Sequence, residues 1–88
     1  MHGYCYLIGE HLTGRYKIGK AKHPMRRLQQ LQTGNPRRLG LGVIIKTDNM
    51  TQTESQLHSQ YQHRRVDGEW FVLTGDDIAE LKSFPGAW

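Results

Sequence analysis

Cysteine is nearly absent from this chain: Cys5 is the only one in 88 residues. A single thiol cannot close an internal disulfide, and no CxxC or Cys/His spacing of a zinc site exists. That fits a reducing, intracellular setting. No apolar run approaches the roughly 18 residues of a membrane span, so no membrane partner is expected. No basic segment followed by an apolar one opens the chain, and no signal peptide is visible. Repeats, linkers and low-complexity tracts are also missing, so one domain over residues 1–88 is the expectation. A domain of this size buries a modest share of its surface and is marginally stable alone.

Negative charge is scarce in one half. From His11 to Thr47 there is no Asp or Glu, but there are nine Lys and Arg. Seven of the eight acids follow Thr47, Glu10 being the other, and the net charge is +4. A one-sided basic half is the electrostatic footprint of a polyanion binder. The alternative is a solvated basic face that aids solubility.

Residues 3–9, GYCYLIG, read as a strand bounded by glycine. RYKIGK (15–20) alternates and reads as its hairpin partner. His23-Pro24 starts a helix, with Pro at its favoured first position, and Gly34 ends it. LGLGVIIKT (39–47) is a third strand. Asp48 and Asn49 are N-cap candidates for a second helix reaching about His63. EWFVL (69–73) is a short strand or extended segment. Asp76 or Asp77 opens a last helix carrying Ile78, Leu81 and Phe84. The tail PGAW frays unless Trp88 packs back. The fold class is α+β: a small sheet of about three strands flanked by helices.

On a wheel of about 100° per residue, Met25, Leu28 and Leu31 share the apolar face of the first helix. Arg26 points away from it, while Arg27 lies on its border beside Leu31. Arg27 could project a guanidinium over the sheet edge as a bidentate phosphate clamp. It could equally lay its stem over the core. In the second helix Met50, Glu54, Leu57 and Tyr61 fall on one stripe. A carboxylate among core residues needs a cation or hydrogen bonds to meet it, and a divalent metal would do so. Thr51-x-x-Glu54 also matches a capping box, which would leave Glu54 no task beyond starting the helix. His58, one turn on, could bond that carboxylate, a metal or a phosphate, or simply sit at the boundary. His2, His11, His23 and His63 form no constellation, and Cys5 reads as core. Tyr4 and Tyr6 share one face of the first strand, where buried tyrosines are usually core.

Gly3-x-x-Tyr6 in a first strand, then Tyr16-Lys17-Ile18-Gly19 about ten residues later, resembles the GIY-YIG nuclease superfamily. An Arg in the following helix and a Glu in a later one continue the likeness. The pattern YKIGKA.HP..RL.QLQTGNP, E..LH..Y and GEWF resembles a small subfamily of phages and bacteria, over roughly residues 3 to 83. The resemblance implies a mainly antiparallel sheet with the active site on one face. It also implies hydrolysis of a DNA phosphodiester with one divalent metal, Mg²⁺ or Mn²⁺. By this likeness Tyr6 helps activate the attacking water, Arg27 binds the scissile phosphate and Glu54 holds the metal. Gly19 matches the last Gly of the second motif. The first motif reads YCY, so only its final Tyr is kept. Lys17 stands where the second motif usually has Tyr, as in some restriction enzymes of the superfamily. A late supporting Asn has no match, and Glu69 and Trp70 occupy that region.

Lys17 beside Tyr6 would favour a phenolate or hydroxide by placing positive charge nearby. Lys20, Lys22, Arg26, Arg37 and Arg38 would follow the nucleic-acid backbone, with salt-sensitive binding. Asn35, in the TGNPRR loop, could touch a base or the backbone. The expectation is a metal-dependent DNA endonuclease in the cytoplasm of a bacterial or phage-infected cell. A homodimer or partner protein would serve double-strand cleavage. The alternatives are a non-catalytic nucleic-acid-binding module on the same fold, or an adaptor whose basic half meets an acidic protein.

Overall fold

The computed structural model describes residues 2–87. β1 (Gly3–Glu10) pairs antiparallel with β2 (Arg15–Ala21) on one side and β3 (Leu39–Thr47) on the other. Cys5 and Leu7 are buried in one core cluster, Tyr6 and Ile8 in another. A strand covered on both faces need not alternate apolar with polar residues, which accounts for the continuous run YCYLI.

The sheet order is β3-β1-β2-β5-β4, with every named pairing antiparallel. Five strands therefore replace the three expected. The EWFVL segment supplies β5 (Trp70–Val72), which turns back on β4 (Arg65–Asp67) through Gly68 at φ +51°. β4 has no sequence signature because all three of its residues are exposed. Apolar periodicity marks only strands that bury a face.

One helix covers the Tyr6 face. α1 (Pro24–Thr33) sets Leu28 and Leu31 against Tyr6, Ile8 and Leu39. Met25, expected on that apolar face, is 58% exposed. Pro24 is the buried residue of the first turn. The inward stripe therefore runs Pro24, Leu28, Leu31 at i, i+4, i+7, and Met25 lies about 60° beyond Leu28, the near edge of it.

Two helices cover the other face. α2 (Met50–Gln60) buries Leu57 against Cys5, Leu7, Ile18 and Phe71, and α3 (Gly75–Lys82) buries Leu81 in the same cluster. Asn49 is the N-cap of α2, its side chain accepting from the Gln52 amide at 3.1 Å. α2 ends at Gln60, short of His63, and a 3-10 turn follows over Gln62–Arg64. α3 opens one step earlier than expected. Thr74 is its N-cap, and Asp77 completes a capping box by accepting from the Thr74 amide.

The described part of the tail does not fray. The Lys46 amide donates to the Gly86 carbonyl at 2.9 Å, and Ala87 bridges Ile45, so the chain covers the outer edge of β3. Gly86 has φ +88°, and a Cβ there would lie 2.3 Å from the Lys46 carbonyl oxygen. The expectation for Trp88 lies outside the described residues. Among the described residues, no helix is long and apolar enough to cross a membrane.

Candidate active site

β2 has a strand partner in β5 only along Arg15–Lys17. The Ile18 amide still donates to the Glu69 carbonyl at 3.1 Å. Beyond it, from Gly19 to Ala21, that edge of β2 has no partner strand among the described residues. The candidate site is built around this opening.

From one face of the sheet come Tyr6, Lys17 and Arg27. Tyr6 is the cross-strand partner of Gly19, and its ring lies over that glycine. A Cβ at Gly19 would stand 2.3 Å from the Tyr6 hydroxyl oxygen. Glycine is required here so that the ring can cross β2 and carry its hydroxyl to the open edge. Burial pushes the Tyr6 pKa up. A hydrogen bond and the charge of Arg27 pull it down, and Glu69 and Glu54 add to the rise. Three side chains from three segments thus act on one hydroxyl. Arg27, half-buried in the first full turn of α1, has one guanidinium nitrogen on the Gln30 side-chain oxygen at 3.2 Å. No acidic side chain pairs with it among the described residues, so its charge is open to an anion. Arg26, its neighbour, is exposed.

From the other face come Glu54 and His58, one turn apart on α2. With Asn49 as N-cap, Glu54 is the fifth residue of the helix and lies outside any capping box. The capping reading of Thr51 and Glu54 is excluded. His58 Nε2 lies 2.8 Å from the Ile18 carbonyl oxygen, and its ring meets Phe71 edge-on at 5.1 Å. A carbonyl only accepts, so Nε2 carries the proton, and a neutral ring keeps its lone pair on Nδ1. His58 thus satisfies the β2 carbonyl where the β5 ladder stops.

Glu69 stands at the edge between the two faces. Its carboxylate is 3.2 Å from Lys17 Nζ, and the Lys17 side chain is only 14% exposed. Lys17 also lies 5.8 Å from the centre of the Trp70 ring. Glu54, His58 and Glu69 each offer one donor atom within 4.8 Å of the others. Two carboxylates and an imidazole fit a divalent cation. Carboxylate oxygen suits Mg²⁺ or Mn²⁺, and the imidazole tilts the set toward Mn²⁺.

Residues 3–85 match the family model of the T5orf172 domain. The chain belongs to that family. The T5orf172 family is associated with nuclease-like domains. No curated protein and no solved structure matches the chain.

In this T5orf172 domain, Tyr6, Lys17, Arg27, Glu54 and His58 come together around the β2 opening. The basic residues divide into two groups. Lys20, Lys22 and Arg26 are exposed near the end of β2 and the start of α1, and Lys20 Nζ donates to Thr51 Oγ1 at 3.1 Å. Arg37 and Arg38 lie at the opposite end of the sheet. The Arg38 carbonyl accepts from the His11 amide at 2.8 Å, and Arg37 Nε is 4.0 Å from Glu10. Asn35 Oδ1 accepts from the Arg37 amide at 2.9 Å, so that side-chain oxygen is used in closing its own loop. From sequence, Glu69 reads as the start of a strand and, with Trp70, as occupying the region of the late Asn that the resemblance implies, with no role of its own.

Proposed function

We propose that this chain is a divalent-metal-dependent endonuclease that hydrolyses DNA phosphodiester bonds by a GIY-YIG-type mechanism. One observation carries the reading. A tyrosine hydroxyl, an arginine free of acidic partners and a Glu/His/Glu donor set meet at one opening in the sheet. Phosphodiester hydrolysis needs an activated water, neutralised phosphoryl charge and a stabilised leaving oxygen.

Glu54, His58 and Glu69 would hold Mg²⁺ or Mn²⁺, with Glu54 the donor least committed elsewhere. The bound cation supplies Lewis acidity and lowers the pKa of water. Arg27 binds the scissile phosphate and stabilises charge growing on its oxygens. Burial keeps the Tyr6 hydroxyl protonated at neutral pH. Tyr6 therefore orients the attacking water through its oxygen, and Arg27 beside it eases transfer of a proton from the phenol. Lys17 holds Glu69 in place and adds positive charge on the Tyr6 side. Lys20, Lys22 and Arg26 draw the nucleic-acid backbone to this end of the sheet. A second copy or a partner protein would supply the second cut for a double-strand break.

Incubation of supercoiled plasmid and single-stranded DNA with Mg²⁺ or Mn²⁺ tests the reading. Cleavage is expected from the wild type, and its loss on chelation or in Arg27→Ala and Glu54→Gln. Salt-sensitive binding without cleavage by a folded sample would overturn the nuclease reading. Unchanged cleavage in both variants would overturn the site. One observation favours the second reading, a non-catalytic nucleic-acid-binding module. Lys17, at the usual place of a tyrosine, is engaged by Glu69 rather than open to Tyr6.

A further inference from the structure

Tyr4 lies two residues before Tyr6 in β1 and faces the same side of the sheet. Tyr6 is buried under α1, but Tyr4 is only half-buried, and among the described residues no hydrogen bond engages its hydroxyl. Beside it opens a cavity of about 330 Å³ lined by Tyr4, Lys22, His23, Pro24, Met25 and Ile44. A second cavity of about 350 Å³ shares Tyr4 and Lys22 and continues to Lys46 and Thr47. The floor is apolar or aromatic: Tyr4, Ile44, Pro24 and the Met25 thioether, exposed at 58%. The rim is cationic on both sides, with Lys22 and Lys46. The acid at this end, Asp48, is 3.2 Å from His2.

Together these features point to a particular ligand. An aromatic face and a soft thioether between two lysines suit a flat, apolar ring attached to an anionic chain. The cavity neighbours the phosphate site, because Tyr4 and Tyr6 lie two residues apart on the same face of β1. Two residues of extended strand span about 6.8 Å, the scale of one nucleotide step. We infer that the Tyr4 cavity takes an unpaired nucleobase next to the scissile phosphate, stacked on the Tyr4 ring. The strand backbone then runs between Lys22 and Lys46. A base inside a duplex cannot offer its face to Tyr4. The site therefore favours DNA that is single-stranded, frayed or branched at the cut. Stacking tolerates any base, since each has a π face, so this site selects for unpairing rather than for sequence.

This inference rests on the proposal that the chain acts on nucleic acid, and the test separates the two. The probe is a short single-stranded oligonucleotide carrying 2-aminopurine at successive positions. It is titrated, without divalent metal, into wild type, Tyr4→Ala, Tyr4→Phe and Tyr4→Trp, each first checked for folding by its thermal transition. Quenching at one position is expected with the wild type, Phe and Trp forms. Tyr4→Ala should lose the quench and bind roughly 5- to 150-fold more weakly, the range of one base–aromatic stack. Removing the base at that position should weaken wild-type binding to a similar degree and leave Tyr4→Ala unaffected. Tight, salt-sensitive binding that is indifferent to Tyr4→Ala, or equally tight for intact duplex, overturns the stacking site while leaving the nuclease proposal standing. Quenching and binding as expected, with no cleavage when metal is added, overturns the nuclease proposal and supports the stacking site.

Discussion

Lys17 Nζ lies 3.2 Å from a carboxylate oxygen of Glu69, which in turn shares a 4.8 Å neighbourhood with Glu54 and His58. One acid thus answers both to a largely buried cation and to a metal-ligand set. The Lys17 side chain is only 14% exposed, so removing Glu69 strands a charge. Because Glu69 itself is 44% exposed, screening keeps the cost of Glu69→Gln near ~1 kcal/mol. A lower urea midpoint is expected, and Lys17→Met in the same chain should restore it. Mn²⁺ affinity, read by calorimetry, should fall at least about 10-fold in Glu69→Gln. Undiminished affinity would remove Glu69 from the donor set.

Lys17→Met alone separates catalysis from attraction. The ammonium sits inside the site, away from the exposed lysines, so it contributes little to backbone attraction. Cleavage should fall by about 10- to 100-fold, because Glu69 loses the cation that holds it in the donor set. Affinity for single-stranded DNA should stay close to wild type. Equal losses of both would make Lys17 one more backbone contact.

The adjacent arginines of α1 should part in the same way. Arg27 is half-buried beside the Tyr6 hydroxyl, and Arg26 is exposed. Arg27→Ala should lower the single-turnover cleavage rate by about 10³–10⁵, as for arginines on transferring phosphoryl groups. Arg26→Ala should leave that rate nearly unchanged and reduce the salt dependence of binding by about one ion. A reversal of the two would invert the wheel reading of α1.

The wheel could be read from sequence because helical position is set by spacing along one element. Arg27 beside Leu31 and Glu54 on the Leu57 stripe are local facts of this kind. Strand count was less legible: β4 is fully exposed and is a strand only because β5 lies beside it. The opening in the sheet was invisible for the same reason, since it depends on where β5 stops along β2. Glu69 gains its role from that stopping point. The choice between a capping and a free Glu54 turned on Asn49, whose bond to the Gln52 amide fixes the start of α2. The choice between Asp48 and Asn49 needed that geometry, because both residue types cap well.

Stability should weaken on the alkaline side. Burial raises the Cys5 thiol from 9.0 to about 12, with Glu54 adding to the rise and Lys20 opposing it. The fold therefore favours the neutral thiol. That contribution is complete below about pH 9 and is lost as pH climbs toward 12. Tyr6 and Tyr61 are also raised by burial, Tyr61 further by its hydrogen bond to Glu80, and they act in the same direction above pH 10. The urea midpoint should fall between about pH 8 and about pH 10.5. Cys5→Ala should be less stable at both values but show a smaller difference between them. An identical difference in that variant would mean that Cys5 ionisation is not coupled to folding.

Gly19 gives the sharpest test of how the site is built. It is buried in β2 and has no ligand chemistry of its own. A methyl group there would stand 2.3 Å from the Tyr6 hydroxyl oxygen and 2.5 Å from the ring carbon bearing it. Tyr6 is 1% exposed and packed under α1, so its ring has little room to yield. Gly19→Ala should cost about 1–3 kcal/mol, as overpacking of a filled core does. The hydroxyl should also leave the β2 opening, taking cleavage with it. Gly40→Ala is the matched control, since a Cβ at that strand position meets nothing within 4 Å. The pair separates placement of Tyr6 from general damage to the sheet. Adding Tyr6→Phe to Gly19→Ala should recover part of the lost stability, because it removes the atom in closest contact, but none of the cleavage. Full activity in Gly19→Ala would show that the Tyr6 hydroxyl does not work from above β2.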